Sequence, residues 1–421
     1  MKYITRDIYL DKLIRRRNNG EIKIITGARR SGKSWLLKKI YKDYLLSVGV
    51  RPECIVSVSF DVDEDIDGND LTDPMTLKRY LSSQIKDDET SYYIFLDEIQ
   101  MVKGFERIVN GLNARDNVDV YITGSNSRFL SSDINTIFRG RGDEIRVYPF
   151  SFKEFCQGRE DESQTALWKE YYTYGGMPAL RNHKSPEEKV AYLQRLWQKT
   201  YIDDVIERGA VKNRHALECL VDQLCSAIGS LTNPNKIKNT LDSVLHVKIE
   251  DETLASYMGY LENAFLFEGA RRYNVKGRKY YESLKKYYAL DVGLRNARLN
   301  FRQQELTHIM ENIIFNELRI RGYLVDIGVV EIRKMQNGKS VYSQHEIDFI
   351  ATNGLEKYYI QSAYALPSDE KREQELLSLK HIDDSFQKVV IVGDDIAAYT
   401  DESGIIFMGI FQFLAGNKIL N

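Results

Sequence analysis

The 421-residue sequence predicts an α/β protein of several domains. Three observations predict this class. Residues 1–150 alternate short apolar runs with helical patterns, as in a parallel sheet covered on both faces. A glycine-rich loop, Gly27 to Ser34, lies between the first apolar run and the first long helix. After a mostly helical stretch, strand-like runs return from about residue 299.

In chain order, Ile22–Thr26 reads as a buried strand. Ser34–Leu46 reads as a helix with Leu36, Leu37, Ile40 and Tyr44 on one face. Ile55–Phe60, Tyr92–Leu96 and Val118–Thr123 are the next strands. Between the second and third lies Asp61–Asp73, with seven acidic residues and no basic one. It lacks calcium-loop spacing and is expected to be a solvated loop rather than a metal site. Residues 151–210 carry helical spacing, as in Tyr192, Leu196 and Trp197, broken by the turn Tyr174-Gly175-Gly176-Met177-Pro178. Residues 211–298 begin helical and end in a hairpin centred on Gly277, the outline of a winged helix. In the last segment a helix, Glu311–Gly322, precedes strands around Tyr323–Ile327, Ile347–Ala351, Lys357–Ser362, Lys388–Val392 and Ile405–Met408.

Composition narrows the function classes. The hydrophobic fraction is 43%, the charged fraction 29% and the formal net charge -2. Bulk charge therefore points to neither a nucleic-acid nor a membrane partner, and a basic partner surface would have to be local. Cys54, Cys156, Cys219 and Cys225 form no CxxC pair and match no common zinc spacing. Scattered thiols suggest a reducing compartment, and the N-terminus lacks a signal-peptide apolar stretch, so the expected location is the cytoplasm. No run of about 18 apolar residues suggests a membrane span.

The loop Gly27-Ala28-Arg29-Arg30-Ser31-Gly32-Lys33-Ser34 fits the phosphate-binding pattern GxxxxGK[ST]. Gly27 and Gly32 let backbone N–H groups turn toward phosphate oxygens. Lys33 supplies charge to the β- and γ-phosphates, Ser34 a hydroxyl for magnesium, and the following helix its positive end. With Trp35, these residues form the expected ATP-binding set. Tyr92-Tyr93-Ile94-Phe95-Leu96-Asp97-Glu98 is an apolar strand ending in adjacent acids. Asp97 is expected to hold Mg2+ and Glu98 to activate the attacking water. At Tyr121-Ile122-Thr123-Gly124-Ser125-Asn126, Ser125 or Asn126 is expected to sense the γ-phosphate, with Thr123 the alternative. Phe138-Arg139-Gly140-Arg141-Gly142 offers an arginine finger, acting in its own subunit or across a homo-oligomer interface. Such a finger is worth about 10³–10⁵ in rate.

These motifs resemble the bacterial and archaeal AAA-type ATPases with a DUF4143-type C-terminal region. The resemblance rests on residues 25–34, Phe95-Leu96-Asp97-Glu98-Ile99-Gln100, Ile122-Thr123-Gly124-Ser125 and Gly140-Arg141. Further matches are residues 147–155, Gly175-Gly176-Met177-Pro178, Glu346-Ile347-Asp348-Phe349 and Tyr359-Ile360-Gln361-Ser362-Ala363-Tyr364. It implies an AAA-type core (1–150), a helical lid (151–210), a winged helix (211–298) and a PD-(D/E)xK nuclease-like α/β domain (299–421). It favours Arg141 over Arg139 as the finger.

Residues 269–288 hold seven basic side chains and one acid, interleaved with tyrosines. Arg271, Arg272, Lys276, Arg278 and Lys279 are the expected contacts to double-stranded DNA, whereas a protein client would leave them a solvated or protein-binding hairpin. In the tail, Glu311 and Asp348 match the nuclease outline, but Gln361 and Ala363 stand where a carboxylate and a lysine are needed. Lost cleavage is therefore expected. Glu346 could restore a site by turning inward; His345 is the weaker ligand candidate. The sequence thus predicts Mg-ATP turnover coupled either to DNA or to a protein client.

Overall fold

The computed structural model describes all residues except 1–2, 62–69, 87, 125–137, 139, 210, 245, 337–338 and 421. Ser125, Asn126, Arg139 and most of the acidic run therefore lie outside the described residues. The chain divides into two compact units, residues 1–149 with 263–265, and residues 150–262 with 266–421.

The first unit is a five-stranded sheet in the order β2-β3-β4-β1-β5. Its strands are β1 (Ile22–Thr26), β2 (Ile55–Ser59), β3 (Tyr92–Asp97), β4 (Val118–Thr123) and β5 (Gly142–Arg146). All neighbouring pairs are parallel. The central strands are largely apolar because helices cover both faces, and the buried charges within β1 and β4, Lys23 and Asp119, pair with each other. On one face Ile22, Ile24, Ile94, Leu96, Val120 and Ile122 pack with Leu77 and Leu81 of helix Pro74–Gln84 and with Val109 of helix Phe105–Asn113. Asp73, last of the acidic run, caps the first of these helices by accepting the Thr76 N–H at 2.7 Å. On the other face the Tyr41 ring lies 5.0 Å from that of Tyr121 and 5.9 Å from that of Phe95.

Two local outcomes differ from expectation. The helix after the glycine loop spans residues 33–47 and contains a π-helical segment, Leu36–Tyr41. The wider turn rotates the buried stripe, so Tyr41 and Leu45 are buried and Tyr44 only half-buried. β5 was not expected at all: Gly-Asp-Glu-Ile-Arg is polar, and its edge position requires only Ile145 to be buried.

The second unit is organised by a nine-stranded mixed sheet in the order β13-β14-β12-β11-β10-β9-β7-β8-β6. The strands are β6 (Leu231–Thr232), β7 (Phe267–Asn274), β8 (Lys279–Ala289), β9 (Leu324–Gln336), β10 (Lys339–Asn353), β11 (Glu356–Ala363), β12 (Gln387–Val392), β13 (Tyr399–Thr400) and β14 (Ile406–Gly409). Helices Gln164–Tyr174, Pro186–Leu196, Arg214–Ser226, Val292–Arg298, Leu306–Ile320 and Asp369–Lys380 accompany it. This sheet crosses the expected boundary between winged helix and nuclease-like domain. Residues 150–262 and 266–421 form one unit, and the hairpin β7–β8 is not a free wing. β7 pairs in parallel with β9, Arg272 opposite Ile327 and Asn274 opposite Val329, so one sheet runs through both expected domains. Strand pairing distant in sequence is not visible in local patterns.

The Gly175-Gly176-Met177-Pro178 turn has a packing role. Asp291 accepts the Gly176 N–H at 2.6 Å and the Leu294 N–H at 2.9 Å. A side chain at Gly175 would collide with that carboxylate, and one at Gly176 with the Phe150 carbonyl oxygen. Burial pushes the Asp291 carboxyl up to about 6 despite these backbone donors.

Candidate functional site

Lys33, Ser34, Asp97, Glu98 and Thr123 lie at or beyond the C-terminal ends of β1, β3 and β4. The glycine loop leaves β1 through Gly27 at φ 134, where a Cβ would strike the Val147 carbonyl oxygen. Arg30 (φ 63) and Gly32 (φ 99) complete the curl. Lys33 is buried, and its ammonium donates to the carbonyls of Gly27 and Ala28, each at 2.9 Å. Arg29 and Arg30 are exposed, as is Trp35, whose ring meets Tyr3 edge-on at 6.5 Å. The buried Ser31 hydroxyl has no hydrogen-bond partner among the described residues. Behind the loop, the buried Arg6 guanidinium donates to the Ser31 carbonyl at 2.8 Å and to the Tyr148 carbonyl at 2.6 Å, and stacks on Tyr9.

Because β4 lies between β1 and β3, its end separates the glycine loop from the acidic strand end. Asp97 is 1% exposed. Its Oδ1 accepts from the Ser34 hydroxyl at 3.0 Å and from the Thr123 hydroxyl, and its Oδ2 pairs with Lys38 Nζ at 2.5 Å. The Glu98 N–H donates to Thr123 Oγ1 at 3.0 Å, and the Gln100 amide donates to the Glu98 carboxylate. Glu98 itself is left-handed, with φ 55.

The structure thus links Ser34, Asp97 and Glu98 through hydrogen bonds that include Thr123, with Lys33 beside Ser34 in the loop. Thr123, the alternative sensor in the sequence reading, bridges both acids. Lys38 and Arg6 were missed: nothing in the motifs marks a lysine one turn into the helix or an arginine before the first strand. The arrangement fits Mg-ATP. A lysine in a curled loop can meet phosphates, the unpartnered Ser31 hydroxyl can donate to an anion, and the paired Ser34 hydroxyl and Asp97 carboxylate are hard oxygen ligands.

For Arg141, expected to act in its own subunit or across an interface, the register of β5 bears on the first alternative. Ile22 pairs with Gly142, and the Arg141 carbonyl accepts the Ile22 N–H at 2.8 Å. Arg141 therefore stands at the start of β5, at the end of the sheet opposite the glycine loop. Strand rise puts about 13–17 Å between the two ends, beyond the reach of an arginine side chain. Arg141 cannot serve the phosphate loop of its own chain.

In the second unit Arg271, Lys276, Arg278 and Lys279 are exposed on the hairpin, with Arg271 stacked 4.1 Å from the Tyr280 ring centroid. Arg272 is not with them. It is 7% exposed, facing Glu346 at 3.5 Å and Gln344 at 3.3 Å. Asp348 and Glu311 do come together, and Gln361 joins them by accepting the Asp348 N–H at 3.4 Å. Glu346 turns toward the same cluster, whereas His345 contacts Ser343 at 2.9 Å.

Comparison with known proteins follows this division. A family model described as an AAA domain matches residues 19–156. An uncharacterized protein of Haemophilus influenzae is 36% identical over 394 residues, covering 93% of each chain. The chain belongs to that protein's family, and its residues 19–156 match an AAA domain. A second uncharacterized relative, from Methanocaldococcus jannaschii, is 28% identical over 416 residues, or 95% of this chain and 86% of that one. Residues 165–305 of the AAA-domain protein match a domain of unknown function, DUF8612, in place of the DUF4143-type region that the resemblance implied. Among solved structures, the Aeropyrum pernix ORC1 protein in complex with DNA is 14% identical, covers 71% of this chain and 93% of that chain, and has a TM-score of 0.31. AMPPCP-bound DnaA from Aquifex aeolicus is 15% identical, covers 60% and 85%, and has a TM-score of 0.28. Both likenesses are too slight to bear on activity or partners. Among the described residues no helix is long and apolar enough to cross a membrane.

Proposed function

We propose that this AAA-domain protein binds Mg-ATP and hydrolyses it, and that turnover drives a switch acting on DNA or a DNA-associated complex. The observation that carries the ATPase reading is the buried Asp97 carboxylate held by Ser34 at 3.0 Å beside the Lys33 loop. Magnesium, when bound, would neutralise charge on the transferred group. In this reading Ser34 and Asp97 hold the metal and Lys33 exchanges its two loop carbonyls for phosphate oxygens. Glu98, aimed by its backbone bond to Thr123, accepts the proton of the attacking water. Arg141 acts, if as a finger, on a second copy of the chain.

Steady-state hydrolysis by the purified protein tests this. Lys33→Ala should abolish nucleotide binding or turnover, and Glu98→Gln should bind ATP without hydrolysing it. Unchanged ATP affinity and turnover in Lys33→Ala would sink the assignment.

Contact with DNA rests on the four exposed hairpin cations, Arg271, Lys276, Arg278 and Lys279. Four phosphate contacts give a slope of log affinity against log salt of roughly -3.6. A gel shift on duplex DNA across salt concentrations measures it. A second reading, an ATPase directed at a protein client, is favoured by the inward turn of Arg272 and Lys286, which removes two of the hairpin's seven cations from the surface. ATP turnover indifferent to duplex DNA would select that reading.

A further inference from the structure

Inside the second unit, side chains from three elements converge on one ammonium. Lys286 comes from β8, Glu346 and Asp348 from β10, and Glu311 from helix Leu306–Ile320. Lys286 Nζ lies 3.2 Å from Glu311 Oε1, 3.5 Å from Glu346 Oε2 and 3.6 Å from Asp348 Oδ1. Lys286, Glu311 and Asp348 are 5%, 6% and 8% exposed. Each carboxylate has a further partner. Glu311 accepts from the Tyr288 hydroxyl at 2.7 Å, Asp348 from the Ser362 N–H at 2.8 Å, and Glu346 faces Arg272. Gln361 spans the same cluster, its amide donating to Glu375 at 3.1 Å.

Buried carboxylates are costly unless a cation and hydrogen bonds compensate them. Hard oxygen clusters usually meet that need with a divalent metal. Here the chain supplies the cation itself. We infer that Lys286 is a built-in counter-ion occupying the cation position among Glu311, Glu346 and Asp348, so that the cluster excludes a divalent metal and instead fastens the β7–β8 hairpin to the rest of the sheet. Three carboxylates face two cations, Lys286 and Arg272, so little charge remains for a metal to neutralise. Burial works against the Lys286 ammonium, but the three carboxylates outweigh it and its pKa is raised, so it stays charged at neutral pH. Burial and the Asp348 charge push Glu311 up. The lysine absent at Ala363 is thus answered from another strand, with a different consequence: the ammonium sits at the centre of the carboxylates. This inference is independent of ATP turnover.

Mn2+ titration of the nucleotide-free full-length protein, read by electron paramagnetic resonance of free Mn2+, tests it. Lys286→Met should gain one equivalent of bound Mn2+ over the wild type, and Asp348→Asn in that background should lose it. Thermal unfolding of Lys286→Met should move upward with Mn2+ more than that of the wild type. A folded Lys286→Met that takes up no additional Mn2+ would overturn the inference. The wild type compared with its own Asp348→Asn variant provides a test that needs no change at Lys286. Equal Mn2+ uptake by the two supports the built-in counter-ion. An equivalent present in the wild type and lost in Asp348→Asn shows that metal and lysine coexist, and refutes it.

Discussion

Replacing Thr123 with valine isolates one hydroxyl that joins the two acids of the AAA domain. Thr123 is fully buried, and valine keeps its shape. The variant loses the bond donated to the Asp97 carboxylate and the one accepted from the Glu98 N–H at 3.0 Å. A bond to a charged group contributes about 1.5–3 kcal/mol, and an unpaired buried N–H costs about 1–3 kcal/mol. The second loss matters more for turnover. Glu98 is held at φ 55, a conformation costing on the order of 1–3 kcal/mol for a residue with a Cβ, and that bond helps to keep it there. Losing roughly 1.4–2.7 kcal/mol of positioning slows hydrolysis about 10–100-fold. Lys33 and its loop are untouched, so ATP affinity should change little. Single-turnover hydrolysis together with equilibrium binding of a fluorescent ATP analogue separates the two effects. Thr123→Ser keeps the hydroxyl and should retain most of the rate. A folded Thr123→Val enzyme that hydrolyses ATP at the wild-type rate would refute the positioning argument.

Three other outcomes are expected. Arg6→Ala removes two charge-assisted bonds to the Ser31 and Tyr148 carbonyls and should cost about 3 kcal/mol or more, seen as a lowered midpoint in thermal unfolding; an unchanged midpoint would contradict it. Burial pushes the Cys225 thiol up to about 12, so iodoacetamide at pH 8 should leave Cys225 unmodified in the native protein and modify it after denaturation, as peptide mass mapping will show. Asp291 is raised from the ordinary 3.8 to about 6. Its contribution to stability is therefore full below pH 3.8 and falls, by about 3 kcal/mol in all, as pH rises through 6. Asp291→Asn should flatten that slope in denaturant unfolding between pH 4 and 7, and an unaltered slope would refute the shift.

What was legible in the sequence is what is contiguous. β1, β3 and β4 could be read because strands buried on both faces are mostly apolar, and the charges inside β1 and β4, Lys23 and Asp119, are buried as a pair. Lys33, Ser34, Asp97 and Glu98 could be read because each sits in a run whose spacing encodes its backbone geometry. β5 could not, since an edge strand needs only one buried side chain. Arg272 and Lys286 looked like members of a basic surface for a related reason. Alternation along a strand says that neighbours face opposite ways, but not which face is covered, and that is decided by β9, β10 and helix Leu306–Ile320. Whether Arg141 serves its own chain could not be read, because the motif fixes its place in sequence, while the parallel register of β5 against β1 fixes which end of the sheet it occupies.

The pairing of β7 with β9 has a consequence for heredity. The stretch matched as DUF8612 ends at residue 305, after β7 and β8 but before β9. A recombination event exchanging everything beyond that point would strip Arg272, Tyr273 and Asn274 of their ladder partners Ile327, Gly328 and Val329. It would also strand Lys286 without Glu311, Glu346 and Asp348. The two stretches are therefore expected to descend together, as one inherited piece whose limits are those of the sheet.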